Sequence, residues 1–170
     1  NNPECKFINF SSAAVYGNPN KLPVSEDTET NPLSPYGYHK LLSEKLLYEY
    51  HRFFALKTCS LRVFSAYGEG LKKQLFWDLN AKAVLSKSIR LFGTGLESRD
   101  FIYIADLIQI VQLVIEKAQF KGEIYNVANG EETYIKDAAQ LFLDNLGWNG
   151  ELLFSGEEKV GDPQNWKADI

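Results

Sequence analysis

Tyr36 and Lys40 stand four residues apart in the segment 34–40, which reads Ser-Pro-Tyr-Gly-Tyr-His-Lys. Ser34 suits the cap position of a helix and Pro35 its first turn, so the spacing predicts that both side chains lie on one helical face. A free tyrosine titrates near 10, about three pH units too high for a general base at neutral pH, and a neighbouring ammonium favours the phenolate. The pair therefore indicates acid–base chemistry, although most Tyr-x-x-x-Lys pairs are ordinary helix surface.

A pair of serines stands where a strand is predicted to end. The apolar pattern of Phe7–Phe10 predicts a short buried strand, and Ser11 and Ser12 follow it directly. Open α/β sheets bind ligands beyond the carboxyl ends of their strands. A serine hydroxyl at that place can donate to and accept from a substrate hydroxyl, or it can simply cap the strand.

An arginine follows the Gly-rich turn at 93–95. Arg99 is a candidate phosphate ligand, because a guanidinium matches two phosphate oxygens at once. The alternative is a surface ion pair with Glu97 or Asp100. The sequence leaves these two interpretations equally open.

Strand-like and helix-like runs alternate along the chain. The predicted strands are 7–10, 58–64, 89–92, 101–104, 123–127 and 151–154. The predicted helices are 35–54, 71–86, 106–117 and 134–146. Several strands are apolar on both faces, which is typical of a parallel sheet covered by helices. The expected fold is therefore α/β.

Composition restricts the class of partner. The chain has 170 residues with 45% apolar and 24% charged residues and a net charge of −4, which suits a folded domain. Because the charges are mixed and no apolar run approaches the roughly 20 residues of a membrane span, we expect neither a nucleic-acid nor a membrane partner. Cys5 and Cys59 lie in strand-like runs, so we predict reduced core cysteines in a cytoplasmic protein.

Together these motifs resemble the extended short-chain dehydrogenase/reductase family, and in particular its nucleotide-sugar epimerases and dehydratases such as UDP-glucose 4-epimerase. The matching segments, in the order of the family, are Ser-Ser-x-x-Val-Tyr-Gly, Ser-Pro-Tyr-x-x-x-Lys, Leu-Arg-x-Phe and Gly-x-Gly-x-x-x-Arg-Asp-Phe-Ile. Each motif is modest, but the ordered set is specific and covers essentially the whole chain.

The resemblance implies a catalytic set of Ser12, Tyr36 and Lys40. In the family, the residue matching Tyr36 exchanges a proton with the sugar C4 hydroxyl, and the residue matching Ser12 hydrogen-bonds the same oxygen. The lysine matching Lys40 holds the nicotinamide ribose, while NAD takes the C4 hydride to give a 4-keto sugar. Tyr36 and Lys40 are thus expected to contact the cofactor as well, and no metal is implied.

The resemblance also implies binding residues. Phe64 is expected near the nicotinamide, Phe92 in the pocket for the base, and Arg99 at the nucleotide diphosphate. Ser65 and Lys159 stand where many epimerases have asparagine and arginine, so these two substrate contacts predict a related but non-standard sugar.

The departures from the family favour one reaction. Dehydratases place an acidic residue just after the catalytic serine or threonine, but the chain has Ala13 and Ala14 there. A 4-epimerase is therefore expected, with a nucleotide-sugar 4-reductase or a non-catalytic nucleotide-sugar-binding protein as alternatives.

The sequence also lacks the Gly-rich turn with which the family begins, and it contains no methionine. We expect it to be a fragment, truncated at both ends, that lacks the N-terminal dinucleotide-binding half. On this view residues 1–67 and 101–128 form the remainder of a Rossmann-type domain, and residues 68–100 and 129–170 form a nucleotide-sugar-binding lobe. The fragment alone is expected to bind NAD weakly or not at all, and NADP is an alternative cofactor. The parent protein is expected to be a homodimer.

Overall fold

A computed structural model describes residues 4–157 and 161–170. The strands are β1 (Lys6–Ser12), β2 (Lys57–Val63), β3 (Ser65–Tyr67), β4 (Ser88–Leu91), β5 (Ser98–Arg99), β6 (Phe101–Tyr103), β7 (Lys121–Val127), β8 (Thr133–Tyr134) and β9 (Glu151–Phe154). The helices are α1 (Pro35–Phe54), α2 (Gln74–Leu85), α3 (Ile104–Lys117) and α4 (Ile135–Asn145), and a 3₁₀ turn (Ala13–Val15) follows β1. The alternation confirms the predicted α/β class.

The strands β1, β2 and β7 form a parallel sheet with β2 in the middle. In its register Ser12 is paired with Val63, and Val63 with Val127. The carboxyl ends of the three strands therefore lie at one edge of the sheet, which is where open α/β sheets bind their ligands.

Helices pack on both faces of this sheet. Successive side chains of a strand point to opposite faces. On one face, the buried Leu61 of β2 belongs to an apolar cluster with Val114 of α3. On the other face, Arg62 hydrogen-bonds Glu44 of α1. The sheet thus lies between α1 and α3.

A second core lies around α2 and α4. Its buried side chains are Leu79, Ile89, Leu91, Ala139 and Leu143. Beside it, β4 pairs with β9 in parallel and β5 with β8 antiparallel. Phe76 of α2 joins this region to β6, since its ring centre lies 5.4 Å from that of Phe101. The assignment of the two regions to a Rossmann-type remainder and a sugar-binding lobe stays a prediction.

Three sequence expectations require correction. The strand at 7–10 was expected to be buried, but Phe7 and Phe10 are 54% and 48% exposed. Cys5 is exposed and precedes β1, so it is not a core residue, whereas Cys59 is buried as predicted. Helix α2 begins at Gln74 and not at Leu71, because Lys73 still has an extended backbone, with φ −164° and ψ 175°. The strands β3, β5 and β8 were not predicted, because they are only two or three residues long and too short to show a hydrophobic period.

Within the described ranges, no helix is both long enough and apolar enough to cross a bilayer.

Candidate active site

The first turn of α1 packs closely on the segment that follows β1. Ser34 caps the helix as predicted, because its Oγ accepts a hydrogen bond of 3.2 Å from the Gly37 N–H. A Cβ added to Gly37 would lie 2.5 Å from the carbonyl oxygen of Ala14. This close approach brings Tyr36, the preceding residue, to the segment that starts at Ser12.

The side chains of Tyr36 and Lys40 are neighbours on α1. The Lys40 Nζ lies 5.6 Å from the centre of the Tyr36 ring, and it donates a hydrogen bond of 2.6 Å to the carbonyl oxygen of Phe10. Tyr36 is 56% exposed. The lysine therefore connects the helix to the end of β1, and the phenol stands beside an ammonium with its surface open to solvent.

Ser12 is the last residue of β1 and caps the 3₁₀ turn that follows it. Its Oγ accepts a hydrogen bond of 3.2 Å from the Ala14 N–H, and the side chain is half-buried. A hydroxyl that accepts one such bond keeps its own proton for donation. Ser12 therefore caps the turn and can still donate to a bound hydroxyl.

A buried ion pair lies one turn of α1 beyond Lys40. The Arg62 Nη2 donates to Glu44 Oε2 at 2.8 Å, and Nε donates to Oε1 at 3.1 Å. Ser11 Oγ also donates to the Glu44 carboxylate, and Arg62 Nη1 donates to Tyr16 Oη at 2.9 Å. These bonds join α1, β1 and β2 one helical turn beyond Lys40.

A cleft of about 690 Å³ opens beside this region. Its lining includes Ser65, Phe92 and Arg99, all of them predicted substrate contacts. Phe92 is 53% exposed, so a large apolar surface is available to a flat ligand. The structure thus places three separately predicted residues in one cavity.

The predicted catalytic residues are not part of that cavity. Ser12, Tyr36 and Lys40 are absent from its lining, but Leu33 belongs to it and directly precedes the helix cap Ser34. The cleft therefore reaches the residue before the cap of α1, the helix whose first two turns carry Tyr36 and Lys40.

The guanidinium of Arg99 is held by main-chain carbonyls. Nη1 donates to Ser98 O at 2.7 Å and to Gln164 O at 3.2 Å. Burial lowers the pKa of Arg99 from its usual value, while the carboxylates of Asp162 and Glu97 oppose that shift. Because an arginine begins with so high a pKa, the side chain stays a cation.

Asp100 is not available for the predicted ion pair with Arg99. Its fully buried carboxylate accepts hydrogen bonds from the N–H groups of Asn129 at 2.8 Å, Gly130 at 3.0 Å and Ala168 at 3.1 Å. Burial raises the pKa of Asp100, and the three N–H donors oppose the rise. Asp100 thus fixes two distant segments to the strand end that carries Arg99.

Glu97 closes the Gly-rich turn. Burial alone would raise its pKa, but donation from the N–H groups of Thr94 and Gly95 lowers the pKa on balance. Gly93 and Gly95 have φ values of +93° and +81°, which only glycine adopts readily. The turn that precedes Arg99 is therefore rigidly defined.

Two other predicted residues have different outcomes. Phe64 is only 6% exposed and packs in the core against Tyr16 and Trp166, so its visible contribution is to packing. Lys159 lies outside the described residues.

Glu44 and Trp166 were not among the predicted site residues. Glu44 follows Lys40 by one helical turn and so lies on the same face of the predicted helix. A carboxylate at that position could have been predicted to pair with a cation of the sheet. The Trp166 ring centre lies 5.3 Å from the Cζ of Arg99, and no local pattern in the sequence indicated this contact.

Residues 1–128 match the NAD dependent epimerase/dehydratase family. The chain belongs to this family, and the resemblance predicted from its motifs is confirmed. An uncharacterized UDP-glucose epimerase of Bacillus subtilis (strain 168), YtcB, is 35% identical over 165 residues, which are 96% of this chain and 52% of that protein.

Solved structures of epimerases have the same fold. The UDP-glucuronic acid 4-epimerase of Bacillus cereus, in complex with UDP-glucuronic acid and NAD, aligns with a TM-score of 0.87 and 34% identity over 97% of this chain and 52% of that one. The UDP-N-acetylglucosamine 4-epimerase of Methanobrevibacter ruminantium M1, in complex with UDP-N-acetylmuramic acid, aligns with a TM-score of 0.87 and 27% identity over 97% and 54%. The chain spans about half the length of these relatives.

Proposed function

We propose that this chain forms the catalytic and nucleotide-sugar-binding part of an NAD-dependent nucleotide-sugar 4-epimerase. The observation that carries the proposal is the position of Lys40, whose Nζ lies beside the Tyr36 ring and is bonded to the carbonyl of Phe10, two residues before Ser12. That arrangement supplies a phenol, an ammonium and a hydroxyl at the ligand-binding edge of a parallel sheet.

The three residues divide the acid–base work between them. Tyr36 accepts the proton of the sugar C4 hydroxyl during oxidation and returns it during reduction. Ser12 donates a hydrogen bond to the same oxygen and fixes its position. NAD, when bound, supplies the hydride acceptor that is regenerated at the end of each cycle, so the sugar passes through a 4-keto state without net oxidation.

The residues present fit one end of such a cofactor. The Lys40 ammonium is hydrogen-bonded near the carboxyl end of β1 and the Tyr36 ring lies beside it, and in the proposed complex both side chains donate to ribose hydroxyls. The remaining contacts to the dinucleotide are proposed to come from residues outside this chain, and NADP stays an alternative there.

The cleft supports the nucleotide-sugar part of the proposal. Arg99 brings a cation suited to a diphosphate, and the exposed ring of Phe92 suits a flat base. Ser65 would contact the sugar. The relatives with UDP-sugars make UDP the first nucleotide to test.

The segment after Ser12 favours epimerisation over dehydration. Neither Ala13 nor Ala14 has a titratable group, and Ala13 is fully buried in the 3₁₀ turn. Neither residue can therefore protonate a leaving hydroxyl. Elimination of water needs such a group, whereas epimerisation needs only Tyr36, Ser12 and the cofactor.

The test is a product assay on the complete protein that contains this chain. UDP-glucose, UDP-N-acetylglucosamine and UDP-glucuronic acid are incubated separately with the protein and NAD, and products are separated by chromatography. A 4-epimer formed with no net change in NADH absorbance supports the proposal. In a parallel incubation with NADPH and a UDP-4-keto sugar, stoichiometric consumption of NADPH would identify the 4-reductase. UDP-sugar binding without any product in either incubation would identify a non-catalytic binding protein.

We also propose that α1 forms a homodimer interface. Tyr38, Leu42, Leu46 and Phe53 are between 52% and 69% exposed and follow one stripe of the helix. This stripe lies opposite the face that carries Lys40 and Glu44. In sedimentation experiments Leu46→Glu should shift a dimer to monomer, whereas Leu141→Glu, the same change at an exposed position of α4, should not. The free thiols of Cys5 and Cys59 agree with a reducing, cytoplasmic location.

A further inference from the structure

We propose that Trp166 is a positioning residue that holds the guanidinium of Arg99 in place to receive the diphosphate of the nucleotide sugar. This inference rests on the proposed function, because that function makes Arg99 the phosphate ligand. It adds a residue that neither the motifs nor the catalytic set includes.

The first observation is the stacking of the two side chains. The Cζ of Arg99 lies 5.3 Å from the centre of the Trp166 ring, which is within the range of a cation–π interaction. Trp166 is 8% exposed. Because such contacts are strongest when little water surrounds them, the indole is a firm support for the cation.

The second observation is that the indole itself is fixed. Its Nε1 donates a hydrogen bond of 3.0 Å to the carbonyl oxygen of Gly17, and its ring meets Phe64 edge-on with 6.1 Å between centres. The ring therefore cannot turn without breaking a buried hydrogen bond. A support of this kind keeps Arg99 in one orientation before any ligand arrives.

The third observation concerns the donors of Arg99. Toward the residues that the structure describes, its hydrogen bonds all start from Nη1 and end on the carbonyls of Ser98 and Gln164. The edge formed by Nε and Nη2 is thus the part of the guanidinium suited to two phosphate oxygens at once.

The fourth observation explains why a support is needed. The carboxylates of Asp162 and Glu97 act electrostatically on Arg99, and both residues line the same cleft. A mobile arginine would pair with these carboxylates and become a poorer ligand for a diphosphate. Stacking on Trp166 and bonding to the two carbonyls oppose that pairing.

The experiment measures UDP binding by calorimetry at low ionic strength for the protein and four variants. Arg99→Met should weaken binding strongly, since it removes the charge. Trp166→Leu should weaken binding about tenfold, as expected for loss of a desolvated cation–π contact. Trp166→Phe retains an aromatic face and should restore most of that loss, whereas Trp77→Phe, a matched change outside the cleft, should leave binding unchanged.

A fluorescence titration gives a readout that a purely structural role would not affect. UDP binding at Arg99 should change the emission of the protein and of Trp77→Phe, because Trp166 then reports on the bound phosphate. The change should be absent in Trp166→Phe. Circular dichroism and thermal unfolding of each variant separate a local effect from loss of the fold.

The outcomes separate the inference from the proposed function. If Trp166→Leu and Trp166→Phe bind UDP as the protein does while Arg99→Met does not, the positioning role is wrong and the phosphate site stands. If Arg99→Met also binds normally, or the protein does not bind UDP, the proposed site is wrong. If Trp166→Leu fails to fold, Trp166→Phe and the fluorescence of the unaltered protein decide the question, and a saturating UDP titration without a change in emission contradicts the inference.

Discussion

Glu44 and Arg62 form an ion pair of 2.8 Å whose side chains are only 3% and 4% exposed. Glu44 stands one helical turn after Lys40 and two turns after Tyr36, on the same face of α1. Arg62 belongs to the central strand β2, and Ser11 donates to the same carboxylate from β1. The pair therefore fixes how α1 is rotated against the sheet, and with it where Tyr36 and Lys40 are presented.

We predict that breaking this pair is costly. Glu44→Gln leaves the Arg62 cation buried without its counter-charge, and the free energy of unfolding should fall by about 3–5 kcal/mol. The double variant Glu44→Met with Arg62→Met removes both charges and should cost less than Glu44→Gln alone. Guanidinium denaturation at neutral pH measures each value.

The exposed pair of Asp78 and Lys82 is the matched control. Its two atoms lie 2.6 Å apart, but the side chains are 49% and 41% exposed, so Asp78→Asn should cost at most about 1 kcal/mol. Equal losses from Asp78→Asn and Glu44→Gln would show that burial of the Glu44 pair has no special importance.

A second prediction concerns Gly37. In an exposed helix, alanine in place of glycine would stabilise by about 1 kcal/mol, but here the added Cβ would lie 2.5 Å from Ala14 O and 2.9 Å from Pro32 Cβ. Gly37→Ala should therefore destabilise the protein by about 1–3 kcal/mol and displace the first turn of α1 from Ser12. Thermal unfolding of Gly37→Ala is compared with that of Lys45→Ala, a control change at an exposed position of α1. An increase in stability for Gly37→Ala would contradict the close packing described here.

A third prediction uses the carboxylate of Asp100. Asp100→Asn places an amide donor against N–H groups that now donate to two oxygens. One buried donor then lacks an acceptor, and stability should fall by about 1–3 kcal/mol. Chemical denaturation of Asp100→Asn is compared with that of Asp106→Asn, a control variant in the first turn of α3. A loss no larger than that of the control would mean that Asp100 does not join the three segments.

A fourth prediction separates the two thiols. Cys59 is 1% exposed and burial raises its pKa to about 11, so it stays a protonated, unreactive thiol at pH 8. Cys5 is exposed. In a colorimetric thiol assay one cysteine should react quickly in the native protein and the second only in denaturant. Cys5→Ser should abolish the rapid phase, and a rapid phase that survives in this variant would place Cys59 at the surface.

The local parts of the site could be predicted from sequence because each depends on neighbouring residues. A cap, a proline and a four-residue spacing are enough to set Ser34, Tyr36 and Lys40 on one helix. The glycines of the turn at 93–95 likewise required positive φ. These features follow from propensity and geometry over a few residues.

The rest depends on contacts between distant segments. The stacking of Arg99 on Trp166, and the three N–H groups that meet at Asp100, exist only after the chain has folded. The two-residue strands β5 and β8 have no period of their own, because the pairing of Ser98 with Tyr134 defines them. The prediction that Cys5 lies in the core was wrong because an apolar run does not show where its strand begins. That boundary is set by the pairing of β1 with β2.

The most direct test of the account is the turnover of Tyr36→Phe compared with Tyr38→Phe in the complete protein. Both changes remove one phenolic hydroxyl from an exposed tyrosine of α1, at 56% and 57% exposure, but only Tyr36 lies on the face of Lys40. With a UDP-sugar that the protein converts, Tyr36→Phe should lower kcat by about 10²–10⁴-fold without weakening UDP binding, and Tyr38→Phe should leave kcat unchanged. Full turnover by Tyr36→Phe would contradict the assignment of this phenol as the acid–base group.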